Sequence, residues 1–215
     1  MASRQQPLQL FPETIRREWL NRPQKSFAKG QMIVTPGDSS AYLYLIVAGN
    51  ARLFHLHLDG KECTLDILSA GDFINWLNLF IDSEKESFCR GLTDVTVVSV
   101  PKKEIFAVIE STPPGLAMSL LKDMALRLHE TTAILEQVAY GKVEERIVFL
   151  FEKLTEGRGQ AGECVPLPPF LTHKDLAGMI GSTRETVTFL LNKLQQEGVV
   201  VQKDNQLLFR KGAQN

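Results

Sequence analysis

Cysteine is scarce. Cys63, Cys89 and Cys164 stand far apart in 215 residues, and none belongs to a C-x-x-C pair. That spacing argues against a disulfide framework and against a Cys-rich zinc or iron–sulfur site, and no other metal set is indicated. The four histidines are scattered. There is no Gly-rich phosphate loop and no nucleophile standing with a base, so nothing in the residues asks for an enzyme. No apolar run approaches the roughly 20 residues of a membrane span. The opening "MASRQQPLQLFPE" lacks the continuous apolar core of a signal peptide. The cytoplasm is therefore the expected compartment, with no membrane partner. An excess of one charge is missing too: 24 Lys and Arg stand against 25 Asp and Glu, for a formal net charge of −1. From Lys142 onward there are 10 basic residues against 9 acidic ones, which is +1. A nucleic-acid surface on such a chain has to be made by placement, with Lys174, Arg184, Lys193, Lys203, Arg210 and Lys211 as its candidates.

What the sequence does have is punctuation. In "LTHKDLAGMI", residues 171–180, Thr172 and Asp175 make a cap-like pair, and Leu176, Met179 and Ile180 form an apolar face. The stretch ends at Gly181, the residue suited to a tight turn with φ > 0. "GSTRETVTFLL" follows. Ser182 and Glu185 have the spacing of a capping box, and Val187, Leu190, Leu191 and Leu194 recur as one buried stripe. Taken alone, this is an ordinary amphipathic helix. Two short helices joined by a Gly turn make the helix-turn-helix pattern, in which the N-terminal residues of the second helix meet base edges in the major groove. Arg184, Glu185 and Thr188 are expected on the exposed face. Arg forks onto guanine O6 and N7, and Glu accepts from a cytosine amino group.

Ahead of this, residues 7–22 read as a short helix. From about Lys25 to Ile109 the pattern is of strands: "YLYLIV" ends at Gly49–Asn50, and "ARLFHLHL" alternates with Phe54, Leu56 and Leu58 on one face. Asp59–Gly60 signals a hairpin, "CTLDIL" runs to Gly71–Asp72, and "VTVVSVP" is dense and β-branched. Short strands at this spacing suggest an antiparallel sandwich or barrel. After Pro113–Pro114 the period changes. Ala117, Leu121, Met124, Leu128, Thr131, Leu135 and Val138 step by four and three, an a/d seam through three heptads. The helix either lies on its own β domain or forms a parallel homodimer. A second apolar set, Leu116, Leu120 and Ile134, suits the first contact and leaves the seam for a partner. A two-fold reader of DNA needs two helix-turn-helix units, so the dimer is the expectation. Gly141 is a candidate hinge. Val143, Ile147, Leu150, Phe151 and Leu154 mark a further helix, and "GVVVQKDNQLLF" reads as a hairpin wing turning at Asp204–Asn205.

Strands, a long helix, a hinge, and a winged helix-turn-helix beginning near "LTHKDLAGMIGSTRETV" resemble the family of the cyclic-AMP receptor protein and Fnr, over nearly the whole chain. "GSTRETV" is the most specific part, and "GLTDVTVVSVP" resembles the last strands of the family's sensor domain. The resemblance implies an α+β fold with an N-terminal antiparallel β-roll of the cyclic-nucleotide-binding kind. It divides the chain into a sensor domain at 1–111, a dimerisation helix at 112–140 and a winged helix-turn-helix at 141–215. It implies a homodimeric transcription regulator on a palindromic site, with double-stranded DNA and RNA polymerase as partners and a signal read at the β-roll. The DNA set it suggests is Thr172, His173, Lys174, Ser182, Thr183, Arg184, Glu185, Thr188, Phe189 and Lys203.

The departures narrow this. Where the family commonly carries R-E-T-V-x-R, the last Arg is Phe189 here, an apolar ring able to touch a thymine methyl or to pack. A cyclic-nucleotide pocket like the family's would show Gly-Glu near residue 71 and Arg-Ser or Arg-Thr about a dozen residues later. Gly71–Asp72 matches the first in part, but Lys85–Glu86 puts a carboxylate in the second slot, so cyclic AMP is not the expected signal. "GDFINWL" offers Asn75 and Leu77 where carbon-monoxide sensors carry a haem ligand, and the first Cys is Cys63, where cluster-bearing members have an N-terminal set. No cofactor is indicated. The expected effector region is Gly71, Asp72, Phe73, Trp76, Lys85, Met124 and Leu128, apolar enough for a small apolar or aromatic molecule, although such a run is more often core. His55 and His57 read as solvent-facing rather than chelating, and Cys89 as a redox switch or as inert packing. A redox- or haem-responsive member, or one active without effector, is the alternative.

Overall fold

The run "VTVVSVP" is apolar at most positions because both of its faces are covered. This strand, β8 (Val95–Pro101), lies inside a four-stranded antiparallel sheet with β1 (Gln24–Phe27), β3 (Tyr42–Ala48) and β6 (Phe73–Ile74), in the order β1-β8-β3-β6. A second antiparallel sheet holds β2 (Met32–Val34), β7 (Phe88–Gly91), β4 (Asn50–Leu56) and β5 (Glu62–Ser69), in the order β2-β7-β4-β5. Val95 and Val97 point into the core between the sheets, with Phe27, Ile33, Ile46, Ala51, Leu68 and Cys89. Val98 and Val100 point the other way, into a second core with Leu43, Leu45 and the helices. At about 25 cal/mol per Å² of apolar area, each such two-faced strand contributes several kcal/mol of burial.

The computed structural model describes residues 6–39, 41–81, 87–204 and 206–213. The chain divides into two compact units inside one long helix, α3 (Gly115–Tyr140), one unit ending at His129 and the other beginning at Glu130.

In the first unit the expected N-terminal helix is split. A 3-10 turn, Pro7–Leu10, precedes α1 (Glu13–Leu20), and Pro12 between them stands extended. Phe11 and Trp19 are thereby turned onto Phe73 and Trp76, with ring centroids 4.8–6.5 Å apart. The strand pattern also stops earlier than Ile109. Residues Lys102–Ser111 form a helix, α2, and Ile105 and Val108 are buried at helical spacing. Gly49 turns β3 into β4 at φ +89°, where a Cβ would lie 2.0 Å from the Asp94 carbonyl oxygen, so only glycine fits.

The alternation of "ARLFHLHL" is broken by a bulge between Leu53 and Phe54. Phe54 is buried, but Leu56 and Leu58 are exposed, because pairing ends at Leu56 with Glu62 and the hairpin then projects. Arg52 is wholly buried. Its Nε donates to Thr64 Oγ1 at 2.7 Å and its Nη1 to Glu62 at 2.7 Å, and Arg90 Nη2 reaches the same carboxylate at 3.2 Å. Both guanidiniums flank the Phe54 ring. His55 lies on β4, and His57 lies beyond the strand's end, its Nδ1 2.8 Å from Asp59.

Along α3, Leu116 and Leu120 pack on the first unit's core, and Met124 is partly buried there. Ala117, Leu121, Leu128, Thr131, Leu135 and Val138 are exposed in the single chain. Ile134 is exposed too, so the inner stripe does not extend to it; its next residues are the buried Asp123 and Arg127. Among the described residues no helix is long and apolar enough to cross a membrane.

The second unit continues with α4 (Val143–Leu154), β9 (Cys164–Pro166), α5 (His173–Ile180), α6 (Arg184–Gln196), β10 (Val200–Lys203) and β11 (Gln206–Arg210), the strands in the order β10-β11-β9. Ile147 and Phe151 of α4 join Leu176, Ile180, Val187, Leu191, Leu194 and Phe209 in one core.

Candidate nucleic-acid interface

The turn between α5 and α6 is fixed by backbone chemistry. Thr172 caps α5: its Oγ1 accepts from Asp175 N at 3.2 Å, and its own N–H donates to the Asp175 carboxylate at 2.9 Å. At the other end Gly181 adopts φ +63°, and Ser182 N donates back to the Ala177 carbonyl at 3.0 Å, six residues closing onto one. That bond holds Ser182 to the end of α5. Thr183 is the cap of α6, extended at φ −98°, its Oγ1 accepting from Thr186 N at 3.2 Å. The expected Ser182–Glu185 capping box does not form, and the helix starts at Arg184 rather than at Ser182. Glu185 is free of that duty and stands exposed.

Val187, Leu190, Leu191 and Leu194 take the inner face of α6. Arg184, Glu185 and Phe189 take the outer one, Phe189 being 68% exposed. Thr188 is half-buried. Its hydroxyl donates to the Arg184 carbonyl at 2.9 Å, so in its 2.9 Å contact with His173 Nδ1 the imidazole is the donor. His173 thus joins the start of α5 to the outer face of α6, and Thr172 and Lys174 flank it, both exposed. Lys203 is exposed at the end of β10, beside the wing turn, where Asp204 takes φ +48°. Asn205 lies outside the described residues.

The basic candidates separate sharply. Lys193 Nζ is 2.7 Å from Glu144, which raises its pKa, and Lys211 Nζ is 2.6 Å from Glu152. Burial acts to raise the Glu152 pKa, yet Lys211 and the Gly212 N–H hold the carboxyl below its ordinary value. Arg210 Nε donates to the Gly198 carbonyl. These three tie the domain together, and Lys174, Arg184 and Lys203 are the exposed cations at the turn and wing. A further basic residue escaped the sequence reading. Arg146 donates to three carbonyls: Gly141 at 3.1 Å, Val138 at 3.0 Å and Ile180 at 3.4 Å. It pins the end of α3, the turn after it and the end of α5.

The described residues of the expected effector set are engaged within the fold. Asp72 accepts from Ser69 N at 2.9 Å and from Ser69 Oγ at 3.3 Å, closing the turn after β5, and Gly71 receives Leu8 N. Phe73 and Trp76 are filled from outside by Phe11 and Trp19. Trp76 Nε1 donates to Asp123 at 3.0 Å, and Arg127 Nε donates to the same oxygen at 2.7 Å. Met124 packs on this core, whereas Leu128 is 69% exposed on the other side of α3. Lys85 and Glu86 lie outside the described residues. Cys89 sits between the sheets, where burial pushes its thiol up to about 12, so it is packing and not a reactive thiolate.

Residues 24–112 match the family described as cyclic nucleotide-binding domain, and residues 145–211 match the Crp-like helix-turn-helix domain. The chain is 29% identical to the cyclic AMP receptor protein of Thermus thermophilus, over 81% of this chain and 77% of that one. It is 29% identical to the global nitrogen regulator of Synechococcus elongatus, over 82% and 80%. Among solved structures it is similar to a transcriptional regulator of the CRP/FNR family from Thermus thermophilus, TTHA1359, with TM-score 0.64 and 26% identity over 87% of this chain and 93% of that one.

Proposed function

Since this chain belongs to the Crp/Fnr family of transcription regulators, we propose that it is a sequence-specific regulator that binds a palindromic site as a homodimer, with α6 in the major groove. The observation that carries this is the outer face of α6. A charged fork, a carboxylate and an aromatic ring stand exposed on a helix whose other face is anchored in a core, and among the described residues no ion pair holds Arg184 or Glu185. Arg184 reads guanine O6 and N7, Glu185 accepts from a cytosine amino group, and Phe189 meets a thymine methyl. Thr172, His173, Lys174, Ser182 and Lys203 hold phosphates, while Thr183 and Thr188 shape the helix that does the reading. The exposed a/d face of α3, from Ala117 to Val138, is the dimer seam, and RNA polymerase is the partner on the promoter.

The signal is taken at the β-roll and is not cyclic AMP. Relatives of equal identity carry names for different signals, a cyclic AMP receptor and a nitrogen regulator, so the fold leaves the effector open. Asp72 serves its own turn and Phe73 and Trp76 pack as core, which supports reading this region as structural. The buried Arg52 and the half-buried Arg90 hold a carboxylate of the chain itself, Glu62, which favours a regulator active without an added anion. The test is binding-site selection on random duplexes with and without cyclic AMP. An enriched inverted repeat that is unchanged by cyclic AMP is the expected result; no enriched motif, or one that appears only with the nucleotide, contradicts the reading.

A further inference from the structure

The chain has four histidines, His55, His57, His129 and His173. His173 alone belongs to the second unit, where it meets α6. Its neighbour sets its tautomer. Thr188 has one hydroxyl hydrogen, and that hydrogen goes to the Arg184 carbonyl at 2.9 Å. The 2.9 Å contact between Thr188 Oγ1 and His173 Nδ1 therefore takes its hydrogen from the imidazole. A neutral imidazole has one N–H, and here that N–H is on Nδ1. Nε2 is left with a bare lone pair. Among the described residues it has no hydrogen-bond partner, and it is not closed off from solvent.

The place of this atom matters. His173 is the first residue of α5 and touches the outer side of α6. In a helix-turn-helix the first helix crosses the DNA backbone while the second enters the groove. A lone pair held there meets phosphate oxygens as acceptor against acceptor. A second proton turns the same atom into a charged donor, the kind of group that holds phosphate best. The charges around the ring are balanced. On α5 they are the exposed Lys174 and the buried Asp175, whose carboxylate accepts from Thr172 N at 2.9 Å and from Thr172 Oγ1 at 2.6 Å. On α6 they are Arg184 and Glu185, one turn before Thr188. From α4, Arg146 meets α5 at its other end, at the Ile180 carbonyl. Residues 167–172, which lead into α5, carry no ionisable side chain. Among the described residues no carboxylate pairs with the imidazole.

We propose that His173 holds a DNA phosphate through Nε2 as imidazolium and not as neutral imidazole, so that the affinity of this chain for DNA rises as pH falls through the range of histidine. The inference rests on the reading of DNA by α6 and adds a proton to it. Each half-site takes up a proton as it binds near neutral pH, and Thr188 is the group that forbids the neutral alternative.

The test is fluorescence anisotropy of the full chain with a labelled duplex carrying the enriched inverted repeat, at about pH 8 and about pH 6. Wild type is expected to bind at least about tenfold more tightly at the lower pH, with a salt slope steeper by about one for each half-site. His173→Asn keeps a donor for Thr188 but cannot take up the proton, and its Kd should be the same at the two pH values. His173→Arg carries the charge throughout, so it should show the steeper slope at both. Thr188→Val lets the neutral ring put its hydrogen on Nε2. It should lose about half of the response on a logarithmic scale, because a neutral hydrogen bond has about half the strength of a charged one. Melting curves at both pH values identify a variant that has lost its fold; if that is His173→Asn, His173→Arg carries the test. A wild-type affinity that does not change with pH overturns the proposal. So does a His173→Asn or Thr188→Val protein as responsive to pH as wild type. Binding that is absent at both pH values overturns the reading of DNA itself, and this inference with it.

Discussion

Phe189 lies four residues after Glu185 on the outer face of α6, and it is the residue that sets this chain's reading apart from an arginine there. Its exposure has a direct consequence. Phe189→Arg is expected to shift the selected site by one more G·C pair in each half and to steepen the salt dependence, with the melting temperature unchanged. A melt several degrees lower with an unaltered motif would show that the ring packs instead. Arg184→Ala should weaken specific binding by about 1–3 kcal/mol and relax the preference at one guanine per half-site, read from competition gel shifts. Caps are separable in the same way. Thr183→Ala should destabilise the second unit by about 1 kcal/mol and Ser182→Ala by well under half of that, measured by urea melts. The Thr172–Asp175 box was legible in the sequence because both partners sit on one helix start. The Thr183 cap was not, because the choice between Ser182 and Thr183 is made by the bond that ties Ser182 N to the end of the preceding helix.

At the scale of elements, the heptad period announced an exposed face on α3, and six of its seven positions are exposed in the chain, Met124 alone packing on the core. Leu128→Glu places a charge in the middle of the proposed seam, where burial without a partner costs several kcal/mol. Sedimentation velocity should report a monomer at concentrations where wild type is a dimer. What periodicity could not show is that the inner stripe ends in Asp123 and Arg127 rather than in Ile134, since those two face inward as a hydrogen-bonded pair. Nor could it show the joint at Arg146. Three carbonyls at two helix ends share this one guanidinium, so Arg146→Lys should lower the melting temperature of the second unit almost as much as Arg146→Ala; a point charge cannot reproduce the fork. Local contrast erred in the opposite direction at α2, where a dense strand run was continued into a helix whose buried residues are equally apolar.

Across the whole molecule, the change from a strand-rich part to a helical part was legible from turn spacing and period. The pairing of its charges was not. Glu144 and Lys193 are 49 residues apart, and Glu152 and Lys211 are 59 apart, so cations that look available in the sequence are committed in the fold. The Glu152 carboxyl is held below its ordinary pKa. Its contribution to stability is therefore full above the unfolded value near 4.3, and is lost as pH falls through the lower folded value. Glu152→Gln should flatten the acid limb of the stability curve below about pH 4.3 and leave its shape above pH 6 unchanged, as followed by circular dichroism. Two copies of α6, held by α3, are proposed to read one site. Site selection on random duplexes with purified wild-type protein tests it most directly. The expected result is an inverted repeat whose half-sites are centred about 10–10.5 base pairs apart, or a multiple of that, each half carrying a G·C pair lost in the Arg184→Ala selection. A single non-palindromic motif, or a motif that Arg184→Ala leaves intact, would contradict it.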